Sequence, residues 1–193
     1  MKKNLAFILL FLISSTQLFA QYSDTIVILP DTNKIIKEFY IPKPLGITSD
    51  FEGVLTPQEI YLLDSFIMAI EKKTTIEIGI ISIDSTMINE DNFEKYTLMI
   101  AQKWNIGKPG KNNGILIGFS DFYKKIRIQN AKGITTKLSD KKTKEIIENV
   151  FLPYFKMGLY YQGLVLGINE MISEINKNTA PKKTTPKKPV KKK

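Results

Sequence analysis

Two short, almost wholly apolar runs predict an α/β protein: IEIGIISI, from Ile76 to Ile83, and ILIGF, from Ile115 to Phe119. Runs of this length and β-branched content read as strands covered on both faces, the pattern of a parallel sheet. An amphipathic stretch with apolar residues at helical spacing lies between them, and others lie before and after. The alternating KIRIQ that ends at Gln129 adds a half-exposed edge strand, joined to ILIGF as a hairpin through Ser120, Asp121 and Phe122.

From the start, MKKNLAFILLFLISSTQLFAQ has a basic beginning, an apolar centre and a small residue at Ala20. That pattern reads as a secretory signal peptide over residues 1–20, cut before Gln21. Its apolar centre is short of the roughly 20 residues that span a bilayer. The mature chain is therefore expected to be exported, periplasmic or secreted, with no transmembrane segment. Residues 21–45 carry the apolar run TIVIL and then Pro30, Pro42 and Pro44, and read as an extended lead-in.

The first helix announces itself. Thr56 is a good N-cap, Pro57 suits the first helical position, and Glu59 completes a capping box. Ile60, Leu63, Phe66, Ile67 and Ile70 then form one apolar stripe, which stops near Lys73. After the IEIGIISI strand, Asn89, Glu90 and Asp91 place acids at the start of a second helix, where the helix dipole favours them. Phe93, Tyr96, Ile100 and Trp104 give that helix its stripe, with Trp104 as a packing anchor.

WNIGKPGKNNGILIGF, from Trp104 to Phe119, crosses the sheet edge. Asn112, Asn113 and Gly114 tolerate φ > 0 and can turn N–H groups and side-chain oxygens toward one point. If the protein binds anything small, this edge is the first candidate; a plain chain reversal is the competing reading. Asn130–Leu138 reads as a loop. Ser139 and Asp140 cap a third helix using Ile146, Ile147, Val150 and Phe151, ended or kinked at Pro153. The last helix, about Tyr161–Asn176, carries Gly163 and Gly167 four apart, which suggests close contact with the sheet. Residues 178–193, rich in Lys and Pro, cannot bury a core and are expected to be disordered.

Composition excludes much chemistry. With no His and no Cys, there is no Ser-His-Asp triad, no cysteine nucleophile and no Cys/His zinc site. Catalysis would have to use carboxylates, hydroxyls, Lys, Arg, Tyr or a hard cation held by oxygen. The formal charge of +9 comes from the ends. Two lysines lie in the signal peptide and eight in Lys177–Lys193, leaving 18 bases against 19 acids between. The tail has no aromatics to stack on bases, so sequence-specific nucleic-acid binding is not expected. Contact with anionic lipid or a cell-wall polymer is the alternative to a solubilising role.

Four blocks follow one another over residues 46–177: ITSDFEGVLTPQE, WNIGKPGKNNGILIGF, KIRIQNAKGITTKLSD and PYFKMGLYYQGL. Their order resembles the TPM domain family, small exported or membrane-associated α/β domains. The resemblance implies a Rossmann-like three-layer sandwich, with a small mixed sheet of about four strands flanked by helices on both faces. It also implies divalent-cation binding, Ca or Mg, and in some members an acid phosphatase activity.

The sequence departs from the family pattern where that chemistry would sit. The family's D-N-G acid is Asn113, its first loop Gly is Ala131, and its Glu is Thr135. The candidate metal residues are thus Asn113, Asp140 and Asp50, with Thr135 in place of an acid. A hard cation held by fewer carboxylates binds more weakly. If the two apolar strands are parallel, Asn113 shares an edge with Thr135–Asp140, and Asp50 lies toward the opposite edge. Three functions follow: a non-catalytic module docking on an envelope protein complex, a metal-assisted phosphomonoester hydrolase, and polyanion binding through the tail alone.

Overall fold

The computed structural model describes residues 39–108 and 110–179. The stretch read as a signal peptide, the TIVIL run and tail residues 180–193 lie outside the described residues, whereas Asn178 and Thr179, read as the start of the disordered tail, end a helix. Four strands form one mixed sheet in the order β1-β2-β3-β4. These are β1 (Thr48–Asp50), β2 (Glu77–Ser82), β3 (Gly114–Ser120) and β4 (Lys125–Asn130). The first three are parallel, and β4 closes an antiparallel hairpin on β3.

The two apolar runs are the central strands, as their composition predicts. Every residue of β3 is buried. In the parallel register Ile78 and Ile80 stand beside Ile115 and Ile117 on one face, with Phe119 further along it. They join α1 (Pro57–Thr74) and α6 (Tyr160–Thr179) in the larger core. The opposite face carries Ile81 and Leu116 and receives Phe93, Tyr96 and Ile100 of α2 (Phe93–Lys103). The result is three layers, helix–sheet–helix. The strands run in simple sequence, so the Rossmann-like description fits only loosely.

The crossovers carry a feature that no local pattern encodes. The β1–α1–β2 and β2–α2–β3 units step in the same direction across the sheet, yet α1 and α2 pack on opposite faces. Parallel crossovers of that kind have opposite hands. One of the two is therefore left-handed, against a preference obeyed in roughly 98% of cases.

The capping box forms as read. Thr56 Oγ1 accepts from the Glu59 N–H at 3.2 Å, and Glu59 accepts from the Thr56 N–H at 2.8 Å. The segment read as a loop before Asp140 contains one helical turn, α3 (Lys132–Thr135). Helix α4 (Asp140–Ile146) does not stop at Pro153. It widens into a π turn over Ile147–Phe151 and continues as α5 (Leu152–Lys156). Proline has no N–H and its ring clashes with the carbonyl four residues back; a wider turn just before Pro153 relieves both.

Gly163 and Gly167 do not face the sheet. A Cβ on Gly167 would overlap the Phe151 ring, and one on Gly163 would sit 2.9 Å from Phe155. The glycines let two aromatic rings of the preceding helical segment reach α6. The lead-in is fastened to α2. Trp104 Nε1 donates to the Pro42 carbonyl and Tyr96 Oη to the Tyr40 carbonyl, each at 2.7 Å.

Candidate functional site

The sheet has two rims, and the candidate residues divide between them. Asn113, Thr135 and Asp140 belong to the rim where β2 and β3 begin. Asp50 lies at the rim where β1, β2 and β3 end, opposite Ser82 in register.

At the first rim the two loops do meet. The Gly133 N–H donates to the Asn112 carbonyl at 2.9 Å, and the Ala131 N–H to the Gly114 carbonyl at 2.9 Å. The approach is so close that a Cβ on Gly133 would lie 2.6 Å from the Asn112 oxygen, and one on Gly114 would overlap the Ile106 carbonyl. Asn113 is buried, 8% exposed, and both ends of its amide are engaged. Its Nδ2 donates to the Thr75 carbonyl, and its Oδ1 accepts from the Lys108 N–H at 2.9 Å.

That clamp holds a strained residue. Thr75 sits at φ 63°, in the left-handed region, where a β-branched side chain costs about 1–2 kcal/mol. A carboxylate at position 113 has no proton to give the Thr75 carbonyl. The amide is therefore what this geometry requires. Thr135 Oγ1 donates to the Lys132 carbonyl at 3.0 Å, inside its own turn. Asp140 is exposed in the first turn of α4, whose cap is Ser139, accepting from the Lys142 N–H at 3.2 Å. Asp140 thus complements the helix dipole, as an acid at that position does anywhere.

The second rim is where α/β sheets commonly bind ligands, outside the carboxyl ends of strands whose connections leave to opposite faces. Here those strands are β1 and β2. The crevice between them is crossed by the chain's own hydrogen bonds. Ser82 Oγ donates to Asp50 Oδ1 at 2.5 Å and accepts from the Glu52 N–H at 2.9 Å. Asp50 also accepts from the N–H groups of Gly53 at 3.1 Å and Leu55 at 2.8 Å.

Glu52, which sequence reasoning passed over, reaches the β3–β4 turn. It accepts from Ser120 Oγ at 2.8 Å and from the N–H groups of Asp121 at 2.7 Å and Phe122 at 3.1 Å. Asp121 in turn accepts from Lys124 Nζ and Tyr160 Oη. These bonds, Lys124's first and Tyr160's second, hold its carboxyl below the usual range. Burial, then the bond to Asp121, pushes the Tyr160 phenol well up. Only the acid's position beside a turn motif, D-x-E-G before the capping box, hinted at the role of Glu52.

The oxygens of three candidate residues already have protein partners: Asn113 Oδ1 accepts from the Lys108 N–H, and the Asp50 and Glu52 carboxylates take backbone and hydroxyl protons. Among the described residues no group of three or more Asp, Glu, His or Cys is placed to hold a metal. No described helix is long and apolar enough to cross a membrane.

Fold and rims together define a compact α/β domain whose edges are finished by internal hydrogen bonds. The family model for the TPM domain matches residues 48–174, and the chain belongs to that family. Solved structures share the fold. The N-terminal domain of a P. gingivalis protein, solved by NMR, is 24% identical; the match covers 68% of this chain and 82% of that one, with a TM-score of 0.60. The BA42 protein of the psychrophilic bacterium Bizionia argentinensis is 26% identical over 66% of this chain and 86% of its own, at a TM-score of 0.57. The N-terminal domain of a Corynebacterium glutamicum protein is 11% identical over 86% and 97%, at 0.51. Comparison with curated proteins gives no match.

Proposed function

We propose that this TPM domain is an exported, non-catalytic binding or assembly factor of the cell envelope, docking on a protein complex there and binding divalent cations at most weakly. The observation that supports this most is the Asn113 clamp: the side chain in the place of a family acid is a neutral amide, with Nδ2 donating to the Thr75 carbonyl and Oδ1 accepting from the Lys108 N–H. The acids of the other rim act as caps for turns. The Lys-rich tail is proposed to reinforce attachment by contact with anionic lipid or wall polymer.

The competing reading is a metal-assisted acid phosphatase acting on phosphomonoesters. Its support is the gathering of Asp50, Glu52 and Asp121 at the rim where α/β enzymes place substrates. One experiment separates the two. The purified mature chain is assayed on a generic phosphomonoester with Mg²⁺, Ca²⁺ and Mn²⁺, alongside a Ca²⁺ titration followed by amide NMR shifts. The binding-factor reading expects no turnover and shifts only at millimolar Ca²⁺. Turnover lost in D50N would replace it with the phosphatase. Pull-down from envelope extract, with and without residues 178–193, then tests docking; no specific partner would count against it.

A further inference from the structure

A cavity of about 300 Å³ opens at the first rim, between the end of α2, the Asn105–Asn112 loop and the starts of β3 and Ala131. That is the lower end of the size range of small-molecule pockets. Its apolar lining comes from Ala101, Ile106 and Leu116. Its polar lining is unusual in kind. Four residues with carboxamide side chains line it, Gln102, Asn105, Asn112 and Gln129, and none of the described lining residues is an acid; Asn130 also borders it, but its side chain turns to Thr143 on the other face of the sheet. The one lining cation, Lys108, is paired with Glu71 at 2.9 Å.

Several of these amides retain bonding capacity. Gln129 uses its Nε2 on Thr97 Oγ1 at 2.9 Å, which leaves its oxygen as an acceptor. Asn105 and Asn112 both lie in the left-handed region, at φ 53° and 49°. Non-glycine residues held there recur at ligand clamps. A lining without carboxylates holds a hard cation weakly, and one neutralised lysine is too little for a polyanion. Carboxamides offer a donor and an acceptor each, so they match a neutral ligand that does the same.

We propose that this cavity is a binding site for a neutral, acetamido-bearing sugar unit. The acetamido group presents one donor and one acceptor to the carboxamides, the ring hydroxyls present both, and the methyl and C–H faces suit Ala101, Ile106 and Leu116. This goes beyond the docking role proposed above: docking on a protein does not require it, and its failure leaves that role standing.

The test is a titration of the mature chain with N-acetylglucosamine and its trimer, followed by backbone and side-chain amide NMR shifts. The expected result is saturable movement confined to Gln102, Asn105, Asn112 and Gln129. Gln102 is an exposed helix residue, so Q102A should keep the fold and weaken the apparent Kd about five- to tenfold, the loss of one to two hydrogen bonds. Glucose, which lacks the acetamido group, should bind more weakly than N-acetylglucosamine. Absence of shifts at these residues would overturn the proposal. So would equal movement with glucose, movement only with a blocked dipeptide amide, or movement there with Ca²⁺ or phosphate in place of the sugar.

Discussion

The two rims of one sheet are finished by opposite chemistry. Where β2 and β3 begin, backbone meets backbone through Gly114 and Gly133, and the polar work falls to a neutral amide, Asn113. Where the parallel strands end, carboxylates and hydroxyls take up loose N–H groups: Asp50 with Ser82, Glu52 with Ser120, Asp121 with Tyr160. A rim closed mainly by backbone contact depends on shape more than on pH, even though Glu77 accepts from the Gly107 N–H there at 3.2 Å. A charged rim depends on ionisation and tolerates small changes of shape, because water can replace part of what is lost. Each prediction below asks whether that division holds.

The largest effect should come from shape at the first rim. In G114A the new methyl overlaps the backbone of Ile106, and neither strand nor loop can move away without losing ladder bonds. A loss of about 3 kcal/mol or more is expected. The matched change at the charged rim, G53A, meets nothing within 4 Å and suffers only the strain of φ 68°, about 1–2 kcal/mol. Urea unfolding of both variants makes the comparison. Equal losses would mean that the first rim is not closed by backbone contact.

N113D comes next. At neutral pH it places a buried carboxylate against the Thr75 carbonyl and should cost about 2–3 kcal/mol. Burial raises the pKa of such a carboxyl above the usual value of about 3.9. The folded state then holds its proton longer than the unfolded state, so the penalty grows as pH rises and shrinks as pH falls. Protonated, the side chain can donate to Thr75 again. The N113D unfolding midpoint should lie below that of the parent chain at pH 7 and converge on it near pH 4. A gap that stays constant would show that charge is not the cause, and Ca²⁺ rescue at pH 7 would restore a metal reading of this position.

E52A should cost less, about 1–2 kcal/mol, because the turn it serves is partly exposed and water can take over some bonds. Hydrogen exchange gives the sharper readout. The Asp121 and Phe122 amides should exchange faster in E52A, while the Gly133 amide at the other rim keeps its protection. Acceleration at both rims would mean that the variant loosens the whole sheet.

Much of the architecture was legible because its signals are local. The IEIGIISI and ILIGF runs, the Thr56–Glu59 capping box and the alternation in KIRIQ each encode one element within a few residues. What escaped depends on distant partners. Glu52 caps a turn 70 residues further on, which only the placement of β1 beside β2 allows. Gly163 and Gly167 announced close packing, but the π turn before Pro153 decided that rings rather than the sheet would fill the gap. The opposed hands of the crossovers follow from which face each amphipathic stripe covers, and a stripe carries no such label. At the candidate site the motif drew attention to Asn113, yet the direction of its hydrogen bonds, donor toward Thr75, needed the fold.

The smallest effect tests the charged rim at its outer end. Y160F keeps the ring that stacks on Phe119 at 5.6 Å and removes only the hydroxyl that donates to Asp121. The Asp121 carboxyl is held low by Lys124 first and Tyr160 second. Its stabilising contribution is therefore present above the ordinary aspartate pKa and is lost as pH falls through the lower folded value. Both groups touch solvent, so the loss in Y160F at pH 7 should be about 1 kcal/mol or less. It should fade as the pH falls through the lowered folded value, below which the carboxyl is neutral in both proteins. The N113D penalty also fades at low pH, but through a proton regained rather than an attraction lost. If the Y160F deficit persisted unchanged down an acid series that ends where the protein's carboxylates are protonated, Tyr160 would be acting through packing alone, and the second rim would owe less to charge than its carboxylates imply.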